Sequence, residues 1–382
     1  FLLPALLQYV SANPWRGPWI DTEVPQDAED LLRSYAVWHQ EAAHQESVQV
    51  FLWRPRNGIG DQLHDASLPN YLHYCLMSSP FIRFEVAPAD GAVDIGAWAV
   101  GLSPLLELEH QPNRSQHLRH EIVAEATGPC SRACHYRSYN MMVKPMEAVK
   151  YLLLQPSVHT LRQLDLTFGG ERPKELAAIH VRTYVIDSVE GEFALESPAA
   201  RNLFMKLIRE IADCILSAVA SEAEPTILVA SDSQQVTQAM LERIRAQLPF
   251  SKVRAISEKP VHSNRLMSPN ASDDEYASVW ATWFGLLQAT RLCCGHSMFA
   301  ESIQSFSQKP LKVTPLGFCV PKAWSTLTRY TSFVRSRQTP QTGTLKTLAR
   351  AVVAAESGSS SKEDDRACLT SELQQVLLAE EL

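Results

Sequence analysis

His180 and Arg182 stand two positions apart in ELAAIHVRTYVID, residues 175–187, at the end of an apolar run. Strand side chains alternate with a period of two, so both residues leave the strand on one face. An arginine offers a planar fork of N–H donors suited to a diphosphate, and it stays charged at any working pH. The competing use of Arg182 is an ion pair with Asp187 or Glu190. Three further clusters have types and spacing that could do chemistry. In Asn57-Gly58-Ile59-Gly60-Asp61-Gln62, Gly58 and Gly60 let a backbone approach a phosphate or sugar closely, and an ordinary turn is the alternative. In Ala230-Ser231-Asp232-Ser233, Asp232 could accept hydrogen bonds from a nucleoside, and either Asp232 or Ser233 could instead cap the next helix. In Gly295-His296-Ser297-Met298-Phe299, small polar residues open a helix, which is anion-site geometry unless Ser297 is only a cap.

Elements must bring these clusters together. VQVFLWRP (48–55) reads as a strand, followed by a helix over 63–77 with Pro69 as a kink, then a strand over 81–86. Residues 87–140 show no legible element, and 145–154 and 158–166 read as helices. From Gly170 the alternation is regular. Strands are expected at 176–182, 226–230, 251–256, 291–294 and 311–314. Helices are expected at 198–222, 234–248, 274–289 with Ser272 and Asp273 as caps, and 298–306. That pattern specifies an α/β, doubly wound domain with ligands beyond the carboxyl ends of its strands, where the polar clusters fall. Residues 356–366 form a polar linker, and 369–382 form an expected terminal amphipathic helix.

The chain has 382 residues, 45% of them hydrophobic, enough for two cores. Its formal charge of −7 argues against nucleic acid as a partner. No apolar run is long enough to span a bilayer, so any membrane attachment is expected through a segment absent from this chain. The opening FLLPALLQYV lacks the basic flank and cleavage site of a signal peptide. The eight cysteines form no paired CxxC knuckle, so a metal site is not expected. Cys130 and Cys134 are a candidate disulfide, and the sequons at Asn113 and Asn270 permit a secretory route. GxSxG, HExxH and GxxxxGK[ST] motifs are all missing, and GIGDQL lacks the third glycine of a dinucleotide turn.

In order and spacing the motifs GIGDQL, AAIHVR, ILVASDS and GHSMFAES, with LLLQPSVHTLRQL before the second, resemble those of the GDP-fucose-dependent fucosyltransferase superfamily. This superfamily spans the plant xyloglucan, α1,6, Nod-factor and protein O-fucosyltransferase types. The likeness covers roughly residues 48–315. It implies two Rossmann-like domains facing a cleft, the GT-B type, with an N-terminal acceptor-side domain at 1–170, a nucleotide-sugar domain at 171–330 and a tail at 331–382. It implies inverting transfer of fucose from GDP-fucose to a glycan hydroxyl, with no metal and no other cofactor, in the Golgi or another secretory lumen. A degenerate member that only binds glycan or protein is the alternative. Carried over by position, Arg182 would steady the departing β-phosphate, and His180 and Asp232 would lie near the nucleoside. Ser233, Ser297, Met298 and Phe299 would touch the donor, and Gly58, Gly60 and Asp61 would line the cleft. Glu190 is the expected base, with Asp187 and Glu192 as rivals. Thr183 stands where several subfamilies have a second arginine, which removes one phosphate contact.

Overall fold

The computed structural model describes residues 26–42, 45, 47–53, 63, 67–86, 119–126, 148–149, 152, 156–183, 192–196, 198–256, 273–295, 297–307, 310–316 and 327. By internal contacts the chain divides into two compact units. One holds Phe1–Lys174, Val261–Gln288 and Met298–Leu311; the other holds Glu175–Pro260, Ala289–Ser297 and Lys312–Leu382.

The first unit contains helix α1 (Gln26–Ala42), strand β1 (Ser47–Trp53), helix α2 (Ser67–Met77), strand β2 (Arg83–Val86), strand β3 (Arg119–Ala126) and helix α3 (Val158–Phe168). The three strands form a parallel sheet in the order β2-β1-β3. The expected strand–helix–strand beginning is present. Because α2 starts at Ser67, Pro69 falls in the first turn, where a missing N–H breaks no intrahelical bond. Two elements escaped the sequence reading. Helix α1 buries Leu32, Tyr35 and His39, and Tyr35 donates its hydroxyl to the Ile82 carbonyl at 2.9 Å. Strand β3 lies inside the stretch that showed no element. It is held by its parallel register with β1, and its charged residues hide a strand's alternation. Helix α3 is bounded as its residues dictate: Ser157 caps the start by accepting from Thr160 N, and Gly169 ends it at φ 75°.

The second unit contains strand β4 (Ala177–Val181), helix α4 (Pro198–Ala218), strand β5 (Thr226–Ser231), helix α5 (Gln234–Gln247) and strand β6 (Lys252–Arg254). Helix α6 (Asp273–Leu287) follows in the chain but groups with the first unit, where it packs against α3. Strand β7 (Arg291–Cys294) returns to the second unit, helix α7 (Met298–Phe306) belongs to the first, and β8 (Lys312–Pro315) completes the second unit's sheet. The five strands are all parallel, in the order β6-β5-β4-β7-β8. Numbered within the sheet this is 3-2-1-4-5, the Rossmann-like order. The chain winds outward from β4 through β5 to β6, then restarts on β4's other side with β7. The point of reversal therefore lies between β4 and β7.

Parallel strands of this type are covered on both faces, which is why they read as nearly unbroken apolar runs. Ala177, Ile179, Val181, Ile227, Val229, Val253 and Cys293 face α4 and α5 and join Leu207, Ile208, Ile211, Ile215, Val236, Met240 and Ile244 in one core. The alternate residues, Ala178, His180, Leu228, Ala230, Leu292 and Cys294, are buried as well. A disulfide joins Cys214 of α4 to Cys293 of β7 across 79 residues of chain, and Cys294 remains a thiol. The candidate Cys130–Cys134 pairing lies outside the described residues, as do both sequons, the linker and the terminal helix. Among the described residues no helix is long and apolar enough to cross a membrane.

Cross-linking over that separation removes chain entropy from the unfolded state worth about 4.5 kcal/mol in the loop-closure treatment. Non-reducing peptide mapping should recover the 214–293 linkage. The Cys214→Ala/Cys293→Ala double variant should lose about 2–4 kcal/mol in urea denaturation.

Candidate functional site

The carboxyl ends of β4 and β5 converge on one carboxylate. Arg182 Nη1 donates to Asp232 Oδ2 at 2.5 Å. Asp232 Oδ1 accepts from Thr183 N and from Thr183 Oγ1, both at 2.7 Å. The register explains the meeting, because Val181 pairs with Ser231 and the next residues of both strands leave the sheet side by side. The neighbouring strand thus supplies an ion-pair partner in Asp232, while Asp187 and Glu190, the partners weighed from the sequence, lie outside the described residues. Thr183 is fully buried. The arginine side chain is 15% exposed and the aspartate 9%, so the pair is screened less than a surface bridge.

His180 sits one strand pitch deeper on the same face. It is flanked in register by Ala230 of β5 and Cys294 of β7, which puts it beside the topological reversal. Burial pulls its pKa down from 6.5 to about 3, and the Arg182 cation adds to the effect. The imidazole is therefore neutral at any physiological pH. It offers a dipole to its surroundings and no charge for a phosphate.

The start of α5 is closed from within the chain. Ser233 is its N-cap, accepting from Val236 N at 3.2 Å. Glu192 lies over the same helix end. Its Oε1 accepts from Gln234 N at 3.0 Å, and its Oε2 accepts from Ser233 Oγ at 3.2 Å and Gln235 N at 3.3 Å. Gln235 answers with a two-way clasp on the next residue, accepting from Phe193 N at 2.8 Å and donating to Phe193 O at 3.2 Å. A carboxylate at a helix N-terminus is stabilised by the free N–H groups and the helix dipole. The Ser233 hydroxyl is committed to the cap, and Glu192, a rival for the role of base, works as a structural anion.

His180, Arg182, Asp232 and Ser233, expected from the motifs at one sheet edge, come together at the carboxyl ends of β4 and β5. Ser297 follows β7 at the same edge; Met298 and Phe299 open α7, in the first unit. The Phe299 carbonyl accepts from Ser302 Oγ at 2.7 Å, and that hydroxyl in turn accepts from Trp283 Nε1 at 3.0 Å. Gly58, Gly60, Asp61, Asp187, Glu190 and His296 lie outside the described residues. Thr183 as a ligand of Asp232 was missed. The signal was its β-branched, hydroxyl-bearing side chain two residues past the strand. Among the described residues no group of three or more His, Cys, Asp or Glu side chains is placed to hold a metal ion.

No protein-family model and no curated protein matches the chain. Solved structures similar to it include the following two. NodZ alpha-1,6-fucosyltransferase soaked with GDP-fucose aligns with TM-score 0.38 and 11% identity, over 67% of this chain and 92% of that one. POFUT1 in complex with GDP aligns with TM-score 0.35 and 12% identity, over 72% of this chain and 99% of that one. Likeness at this level says nothing about activity.

Two measurements test the site. The unfolded chain protonates its histidines near pH 6.5, whereas buried His180 and His39 stay neutral to about 3. Stability should therefore fall as pH drops from about 6.5 toward 3, because the unfolded state gains protons that the folded state refuses. By NMR, the His180 Cε1–H signal should hold its neutral position from pH 8 to pH 5. Separately, Glu192→Ala should cost about 1–2 kcal/mol in urea denaturation through loss of the α5 cap.

Proposed function

We propose that the chain is an inverting glycosyltransferase that moves fucose from GDP-fucose to a glycan hydroxyl. The observation that carries this reading is the Arg182 guanidinium, held by Asp232 at the carboxyl edge of β4, beside the reversal point of a 3-2-1-4-5 parallel sheet. Doubly wound sheets bind nucleotides at that point. The motif order that resembles the GDP-fucose-dependent superfamily supplies the identity of the nucleotide and sugar.

In this reading the diphosphate lies against Arg182. As the bond from the sugar's anomeric carbon to the phosphate oxygen breaks, negative charge grows on the departing GDP, and a fixed cation beside it lowers the barrier. The acceptor hydroxyl loses its proton to a carboxylate while it attacks the opposite face of the sugar. Glu190 and Asp187 are the carboxylates proposed for that work, because Glu192 is committed to the α5 helix end. His180 supports the nucleoside side as a neutral group. Ser297, Met298 and Phe299 are proposed donor contacts, as are Gly58, Gly60 and Asp61, on the strength of the motif resemblance. The proposed chemistry uses no metal, so added EDTA should leave turnover unchanged. A secretory lumen is the proposed location, supported by the Cys214–Cys293 disulfide, which persists in oxidising compartments.

A second reading, a glycan- or protein-binding member without turnover, is favoured by one observation. Asp232 already neutralises Arg182, so a diphosphate has to share that cation. A donor screen with GDP- and UDP-sugars, reading nucleotide release, separates the two. The transferase reading requires release from GDP-fucose in the presence of a glycan acceptor. Arg182→Ala should lower that rate by at least about a hundredfold, the range for removing one group that stabilises transition-state charge. An unchanged rate would remove Arg182 from the mechanism. GDP binding by calorimetry without turnover on a broad acceptor panel would favour the binding module.

A further inference from the structure

We propose that Thr183 is a positioning residue for the diphosphate site, acting through Asp232 to fix the orientation of the Arg182 guanidinium. The inference deepens the donor-binding reading above and rests on it for one of its two readouts. Three geometric facts carry it. Thr183 holds a single oxygen of Asp232 twice, through its backbone N–H and its hydroxyl, at 2.7 Å each. Those two bonds occupy Oδ1, leaving Oδ2 to face Arg182 Nη1 at 2.5 Å. Thr183 is fully buried, so its own rotamer is fixed by packing.

The carboxylate cannot rotate about its terminal bond without giving up both bonds from Thr183. Its second oxygen is thereby fixed in space, and it anchors the Nη1 end of the guanidinium that it binds. A planar fork reads a diphosphate only when its plane is set, because both donors must reach oxygens together. The threonine hydroxyl therefore contributes to phosphate recognition without touching phosphate. Its charge effect differs from that of an arginine at this position. The Arg182–Asp232 pair has no net charge, and a neutral third member keeps it so. Recognition at this edge then depends on aligned donors more than on excess positive charge, and affinity for a diphosphate should fall only gently with added salt.

The same geometry limits Asp232 as a reader of the nucleoside. With Oδ1 filled by Thr183 and Oδ2 engaged by Arg182, the carboxylate works as a brace between two strand ends.

The test compares Thr183→Val, which keeps shape and the backbone N–H but removes the hydroxyl, with Thr183→Ser, which restores it. The first readout needs no nucleotide. Side-chain NMR of arginine-labelled protein should show hindered guanidinium rotation at Arg182 in the parent chain and in Thr183→Ser, and averaged signals in Thr183→Val. The second readout is GDP affinity by calorimetry. It should weaken about five- to tenfold in Thr183→Val, the worth of one hydrogen bond, and stay within about twofold in Thr183→Ser. Equal guanidinium dynamics in all three proteins would overturn the inference. If the parent chain binds no GDP, the donor reading fails by itself, and the NMR comparison still decides the role of Thr183. Should Thr183→Val not fold, Thr183→Ala replaces it, since it also removes the hydroxyl and keeps the backbone N–H; hindered rotation equal to the parent's would again overturn the inference.

Discussion

A carboxylate that is 9% exposed must be satisfied where it stands, and the site is built around that demand. An ionised group taken out of water costs several kcal/mol unless charge and hydrogen bonds compensate it. Asp232 meets both terms with one cation and two neutral donors, all from the two residues that follow β4. Removing any donor leaves a partly desolvated anion, so the ends of β4 and β5 stand or fall together. The cluster thus links the sheet's two central windings at the edge where a ligand would arrive.

The surrounding architecture serves that edge. The apolar runs Ala177–Val181 and Thr226–Ser231 are buried on both faces, which leaves their carboxyl ends as the places where polar side chains emerge. Glu192 and the Gln235 clasp close the start of α5 from inside the chain. One helix end that could have bound a foreign anion is thereby already supplied with one. The arginine at β4 remains the group at this edge with a permanent positive charge opposite a described anion.

Much of the second unit was legible because its signals are local and repeated. The elements from β4 to β8 each carry an apolar run or a helical stripe bounded by a cap or a proline, and the polar motifs lie between them. The parts that were not legible depend on partners distant in sequence. Strand β3 carries Arg119, Glu121 and Glu125 and becomes a strand only through its register with β1. Helix α1 is fixed by contacts such as Tyr35 to Ile82. At the site, the residue types were readable but their pairing was not. The acids weighed for Arg182 lie a few positions along the chain, and strand order adds an aspartate from 50 residues away that no local pattern announces. Glu192 read as a candidate base because its sequence neighbourhood shows nothing of the helix end it caps.

The adjacent cysteines of β7 carry a last consequence. Cys293 points to the α4 side and is bridged to Cys214, while Cys294 points to the opposite face beside His180. A one-residue slip of β7 against β4 would send each of these side chains to the other face. The bridge would then have to form through Cys294, and the thiol beside His180 would be lost. The disulfide therefore works as a register pin. It fixes which residue of β7 stands next to His180, and so where the chain leaves the sheet at Gly295.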